Sequence, residues 1–203
     1  MKRTGTRSRR SKKLPAFIPI LLILLAAAAG AFLLLRPYVG RTVSKAVYPL
    51  RYAEELKAAA DRYGLDRALV AAVVNTESGF RSDAVSGDGA VGLMQVLPST
   101  AEWIAFARRA EYEEGSLFDP ETNLDYGCWL LRYLLDRYGG SVRNALIAYN
   151  AGHGRLESWL KEGADENGEL INIPYAETRN YVEKVTSAKE KYESIYEEEL
   201  LKN

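Results

Sequence analysis

The sequence predicts a mainly α chain, in which a single N-terminal transmembrane helix is followed by one globular helical domain. Three observations carry this. Residues 14–35 run for 22 positions without a charge. Beyond them, apolar residues recur at helical spacing between recognisable caps and stops. Few stretches show the alternation of a strand, and the connections between helical segments are short.

Residues 1–13 hold seven Lys or Arg and no acid, and form a basic tail. The run at 14–35 is mostly Leu, Ile, Ala and Phe, and a helix rising about 1.5 Å per residue over that length spans a hydrocarbon core of about 30 Å. Pro15 and Pro19 sit near its start, where proline is tolerated, and Arg36-Pro37 closes it. Lys and Arg next to a span resist translocation, so the tail is expected in the cytoplasm and the rest of the chain outside it. The competing reading is a cleaved signal peptide, with small residues at 26–31 as the processing site. The apolar run continues through Phe32-Leu33-Leu34-Leu35 and favours the uncleaved anchor. Residues 36–49 form a linker and 50–203 one domain.

Within that domain, residues 50–63 have helical spacing and stop at Gly64. Asp66 is placed to cap a second helix to about Ser78, with Leu69, Val70, Val73 and Val74 on its core face. Gly87, Gly89 and Gly92, among Ser and Asp, make 81–95 a turn-rich loop or a small β-hairpin. A third helix starts near Pro98 and reaches about Arg109. Asp119-Pro120 then reads as the cap and first turn of a long helix ending before Gly139-Gly140. Ser141 caps a shorter helix that Gly152 and Gly154 break, residues 163–172 form a loop, and Pro174 opens the last helix.

Composition excludes several function classes. Of 27 basic residues, seven lie in the tail and one is Arg36, leaving 19 against 27 acids beyond the span. That excess of negative charge argues against nucleic acid as a partner. A single cysteine, Cys128, makes no internal disulfide, and a single histidine, His153, anchors no His-rich metal site. No metal or cofactor is expected.

Glu77 lies where a strongly apolar helix meets the Gly-, Ser- and Asp-rich loop. Most helical glutamates are solvated, but a carboxyl at this boundary is open to partial desolvation, which raises its pKa toward that of a general acid at neutral pH. Five short patterns follow in order: Glu77-Ser78-Gly79-Phe80; Gly92-Leu93-Met94-Gln95 with Pro98 and Thr100-Ala101; Asn123 with Gly127 and Leu130-Leu131; Ala148-Tyr149-Asn150-Ala151-Gly152; and Pro174-Tyr175 with Glu177-Thr178 and Tyr181-Val182. Each alone is weak. In this order and spacing, over roughly residues 50–191, the chain closely resembles the soluble lytic transglycosylase family, lysozyme-like enzymes that cleave peptidoglycan.

The resemblance implies an α+β lysozyme-like fold and a peptidoglycan glycan strand as substrate. It makes Glu77 the carboxyl that protonates the glycosidic oxygen between N-acetylmuramic acid and N-acetylglucosamine, then acts as base while the muramyl 6-hydroxyl closes a 1,6-anhydro ring. One carboxylate suffices for that reaction, whereas retaining and inverting glycosidases hold two about 5–9.5 Å apart. It further implies substrate-facing roles for Ser86, Met94, Gln95, Tyr149, Asn150 and Glu177. Plainer readings stand beside these: a turn residue for Ser86, a core residue for Met94, a loop-holding role for Asn150 and an ion pair with Arg179 for Glu177. Tyr126, Trp129 and Tyr133 fall at helical spacing and read as a core stripe; Trp103 and Trp159 are ambiguous. The alternatives are a muramidase using Asp83 or Asp88 as second carboxylate, and a non-catalytic glycan-binding module.

Overall fold

The computed structural model describes residues 45–201, together with Leu24 and residues 29–31. The predicted span at 14–35 therefore lies almost wholly outside the described residues; among those described, no helix is long and apolar enough to cross a membrane. A compact unit runs from Ser44 to the C-terminus.

Seven α-helices build the described part of this unit: α1 (Ala53–Arg62), α2 (Arg67–Glu77), α3 (Pro98–Arg108), α4 (Pro120–Arg137), α5 (Val142–Ala151), α6 (His153–Glu162) and α7 (Ala176–Ile195). A 3-10 turn, Ser116–Phe118, precedes α4, and a single π turn, Glu197–Leu201, follows α7. The caps follow the side-chain chemistry. The Asp66 carboxylate accepts the Ala68 and Leu69 N–H groups, Asp119 accepts that of Thr122, and Ser141 that of Asn144. Pro98 and Pro120 open their helices, where the missing N–H costs no hydrogen bond.

Helix α2 is the axis of the core. Ala68, Leu69, Val70, Ala71, Ala72, Val73 and Val74 are all buried, so it is enclosed on every side rather than amphipathic. It packs most extensively on α7, with α1, α4 and α5 completing the layer around them. Asp125 of α4 ties three segments together by accepting from Arg62 (2.6 Å), Tyr63 (2.7 Å) and Arg108 (2.5 Å). Burial pushes its carboxyl up, but the three donors outweigh burial and hold it below the usual carboxylate range.

Two features depart from the sequence expectations. Gly152 ends α5 as expected, but Gly154 breaks nothing: α6 begins at once at His153. Gly152 takes φ 88° and turns the backbone, while Gly154 stands in the first turn of the new helix, where a helix interior has not yet formed. The linker, expected to reach residue 49, is joined to the domain earlier: Tyr192 donates to the Pro49 carbonyl (2.7 Å) and Tyr196 to that of Tyr48 (2.8 Å). The turn-rich stretch forms isolated bridges, Val85 with Val91 and Val91 with Val96, and no regular strand is present among the described residues.

Candidate active site

Glu77 is the last residue of α2, and the loop that follows folds back over the end of that helix. The Ser78 hydroxyl starts this return by donating to the Leu93 carbonyl at 2.8 Å. Val91 and Val96 exchange both backbone hydrogen bonds at 3.0 Å, closing the tight turn that contains Gly92-Leu93-Met94-Gln95. Asn123 of α4 is fully buried and pins that turn. Its Oδ1 accepts the Met94 N–H at 2.7 Å, and its Nδ2 donates to the carbonyls of Val91 (2.9 Å) and Leu117 (2.8 Å). Gly92 is required here: its φ is 78°, and a Cβ would lie 2.2 Å from Asn123 Nδ2 and 2.5 Å from the Leu117 carbonyl oxygen.

The surroundings set the chemistry of Glu77. Its side chain is only partly exposed, and burial raises its pKa from 4.5 to about 7, an effect that Tyr181 partly opposes. No other carboxylate contributes to the displacement. Asp83 and Asp88 are both exposed on the loop. Two tyrosine hydroxyls face the carboxyl. Burial and the charge of Glu77 push both Tyr149 and Tyr181 well above the ordinary tyrosine value. Tyr149 donates to the Met94 carbonyl at 2.8 Å. Tyr181 is 6% exposed, and its hydroxyl makes no hydrogen bond of normal geometry, although Glu77 is the group that it most strongly senses. Glu77 and Tyr181 thus stand within reach of each other, and the hydroxyl opposes the upward shift of the carboxyl by hydrogen bonding, though not in normal geometry.

The other expected residues separate. Gln95 takes a left-handed φ of 49° and its Nε2 donates to the carbonyls of Ala84 (3.2 Å) and Gly92 (2.9 Å). Both amide protons therefore hold the loop, and Oε1 remains as the acceptor of that side chain. Met94 is corrected from a groove-lining to a core side chain: it is 0% exposed and fills the space beside Gly127, where a Cβ would come 2.3 Å from its sulfur. Ser86 is exposed, and its hydroxyl accepts the Ala90 N–H at 3.0 Å within its own turn. Asn150 is exposed and makes no side-chain hydrogen bond among the described residues, so the loop-holding role is not seen. Glu177 is exposed too. Arg179, its proposed partner, donates instead to the carbonyls of Ile173 (2.5 Å) and Pro174 (2.9 Å).

Next to this centre a cavity of about 420 Å³ is lined by Leu97, Ser99, Thr100, Trp103, Tyr133, Tyr149, Asn150 and His153, among others. A larger, more open cleft of about 520 Å³ runs along α2 and α7, past Asn75, Thr76, Asn180 and Lys184. Glu77 and Tyr181 follow Thr76 and Asn180 in sequence but do not line it. Glu77 does not line the smaller cavity either, but Tyr149, which senses its charge, does. Among the described residues no group of three His, Cys, Asp or Glu side chains stands together as a metal site.

Four contributors were not assigned roles from sequence. Asn123 and Tyr181 stood inside the quoted motifs, which marked them without giving them a task. Trp103 and Tyr133 carried no signal that separates a groove from a core.

Known proteins align with this picture. The Transglycosylase SLT domain family matches residues 54–172. The membrane-bound lytic murein transglycosylase C of Edwardsiella ictaluri is 33% identical over 172 residues, covering 71% of this chain and 47% of that protein. The soluble lytic murein transglycosylase of Escherichia coli K12 is 32% identical over 154 residues, covering 73% of this chain and 23% of that protein. Among solved structures, the 70 kDa soluble lytic transglycosylase of Escherichia coli superposes with a TM-score of 0.68 at 30% identity, over 75% of this chain and 26% of that one. A complex of the 70 kDa soluble lytic transglycosylase with bulgecin A gives 0.69 at 30% identity, over 79% and 27%. The chain thus spans less than half of the length of the relatives that it matches, 47% of one and 23% of the other. By the family match over most of its helical domain, the chain belongs to the Transglycosylase SLT domain family.

Proposed function

We propose that the chain is a membrane-anchored peptidoglycan lytic transglycosylase in which Glu77 is both general acid and general base. The observation that carries this reading is the solitary desolvated carboxyl: its pKa of about 7 lets it hold a proton near neutral pH and also release it. Protonated Glu77 donates to the oxygen bridging C1 of N-acetylmuramic acid and C4 of N-acetylglucosamine. The C1–O bond breaks, and the glucosaminyl end leaves as an alcohol. The 6-hydroxyl of the same muramyl sugar then adds to C1 and passes its proton to the Glu77 carboxylate, which restores the acid and leaves a 1,6-anhydro end. No water is consumed and no second carboxylate is needed.

The names of the relatives, lytic murein transglycosylases both membrane-bound and soluble, support the substrate class. Tyr149 holds the Met94 carbonyl and so fixes the turn beside the carboxyl. Gln95 Oε1 accepts from a substrate N-acetyl N–H, and the exposed side chains of Ser86, Asn150 and Glu177 border the strand. The uncharged run at 14–35 anchors the domain, with the tail cytoplasmic and the domain outside. Its reach is then confined to glycan close to the membrane.

The test uses the full chain in detergent micelles on purified peptidoglycan, with mass spectrometry of the released fragments. The expected products end in 1,6-anhydro sugars and disappear in Glu77→Gln. Reducing ends would make the protein a muramidase, and no release would leave a binding module. Protease accessibility of the domain in sealed vesicles, with resistance to alkaline extraction, tests the anchor and its orientation.

A further inference from the structure

The stretch that precedes α1, residues 45–52, clasps the C-terminal end of α7. Tyr192 is fully buried and donates from its hydroxyl to the Pro49 carbonyl at 2.7 Å, while the half-buried Tyr48 meets its ring edge-on at 5.9 Å and 87°. One turn further on, Tyr196 stacks on Tyr192 at 5.7 Å and donates to the Tyr48 carbonyl at 2.8 Å. The Lys45 ammonium lies 4.7 Å from the Tyr196 ring centroid and pairs with Glu199 at 3.1 Å.

The same stretch reaches the loop that follows Glu77 by two routes. Phe80, in the Glu77-Ser78-Gly79-Phe80 motif, is 1% exposed and packs its ring against Tyr192, with 6.2 Å between centroids. Tyr52 donates from its hydroxyl to Ser82 Oγ at 3.4 Å. Both routes run through strained backbone. Phe80 takes φ 62° and Tyr52 φ 52°, left-handed values that a residue with a bulky side chain keeps only where its surroundings impose them. For Phe80 the imposing contact is the buried Tyr192 ring, which has Tyr48 against it as well. Released from that ring, Phe80 relaxes to negative φ, and the backbone at the end of α2, which carries Glu77, moves with it.

We propose that residues 45–52 are a positioning element for catalysis: docked on Tyr192 and Tyr196, they hold Phe80 and Ser82 in place and thereby aim the Glu77 carboxyl. Tyr48, Tyr52 and Tyr192 are its positioning residues, acting through the loop. The inference rests on the reading of Glu77 as the general acid. Because this stretch leads back toward the apolar run at 14–35, catalysis is coupled to the way the domain is tethered. Tyr48 also lines the open cleft along α2 and α7, so its effect on kcat must be separated from any effect on KM.

The experiment compares the full chain and its Tyr48→Ala variant in detergent micelles, by kinetics on peptidoglycan across pH and by hydrogen exchange of the amides at 78–96. Tyr48→Ala is expected to lower kcat about tenfold and to leave KM within about twofold. The falling limb of the pH profile moves below about 7, because Glu77 loses part of its enclosure; Tyr149 and Tyr181, the titratable groups that face it, stay neutral over that range. Exchange at 78–96 quickens. Tyr48→Phe keeps the ring edge and restores all three readings. Tyr192→Phe, which loses only the donation to Pro49, shows the same changes at a few-fold. Asp125→Ala loosens the fold elsewhere, and moves neither kcat nor the limb. A rise in KM alone, an equal loss of kcat in Asp125→Ala, or unchanged kcat and limb in Tyr48→Ala and Tyr192→Phe overturns the positioning role. Full activity in Glu77→Gln overturns the acid assignment instead, and quickened exchange in Tyr48→Ala then leaves the link from this stretch to the loop standing.

Discussion

Glu77→Gln keeps the shape of the side chain and removes its ionisation, so it separates the carboxyl's chemistry from its packing. Below about pH 4.5 the carboxyl is protonated in both the folded and the unfolded chain, and the substitution is close to neutral for stability. Between 4.5 and about 7 the folded chain retains the proton while the unfolded chain releases it, so stability falls as pH rises through this window. Above about 7 the folded chain carries a desolvated charge. The displacement from 4.5 to about 7 is worth about 3 kcal/mol, an upper figure because the side chain is partly exposed. Gln is neutral at every pH and avoids that cost. Denaturant unfolding of the chain in detergent, followed by tryptophan emission, is therefore expected to show a gain of up to about 3 kcal/mol near pH 8.5 and almost none near pH 4. A gain of equal size at both pH values, or none at the higher one, refutes the claim that Glu77 is desolvated, and with it the physical basis for an acid at neutral pH.

Other expectations follow from neighbouring contacts. kcat/KM on peptidoglycan is expected to fall as pH rises through about 7, because only protonated Glu77 serves as the acid. Tyr181→Phe moves that falling limb to higher pH, since Tyr181 opposes the effect of burial; stability changes little, because the hydroxyl makes no formed hydrogen bond. Asn123→Ala removes three buried hydrogen bonds and is expected to cost about 3 kcal/mol, with loss of activity as the Gly92–Gln95 turn loosens; thermal unfolding and a product assay check both. Asp125→Ala leaves Arg62, Arg108 and Tyr63 without their shared acceptor. It is expected to cost roughly 2–3 kcal/mol near neutral pH while sparing catalysis, as read from denaturation midpoints and kcat.

The helical plan was legible because its signals are local. Asp66, Asp119 and Ser141 cap the helices that they were expected to cap, and Pro98 and Pro120 open theirs. The α6 start was hidden because two glycines in three positions resemble a terminator, and only the φ of Gly152 shows a turn between two helices. The span expected at 14–35 rests on its uncharged run, and almost all of it falls outside the described residues.

Glu77 and the order of the motifs around it belong to the sequence by itself: chain order preserves which short patterns precede and follow the carboxyl, whatever their distances in space. What surrounds that carboxyl was decided only by the tertiary structure, because burial and partnership arise from elements far apart in the chain. Met94 looked like a groove residue until Gly127, lacking a Cβ, was seen to open a core space for it. Tyr133 reads as core and Trp103 as ambiguous from sequence, whereas in the fold both line a cavity. The sequence identified Glu77 as an acid. Its pKa of about 7 comes from burial, partly opposed by Tyr181 from far along the chain, and both exist only when the helices are packed.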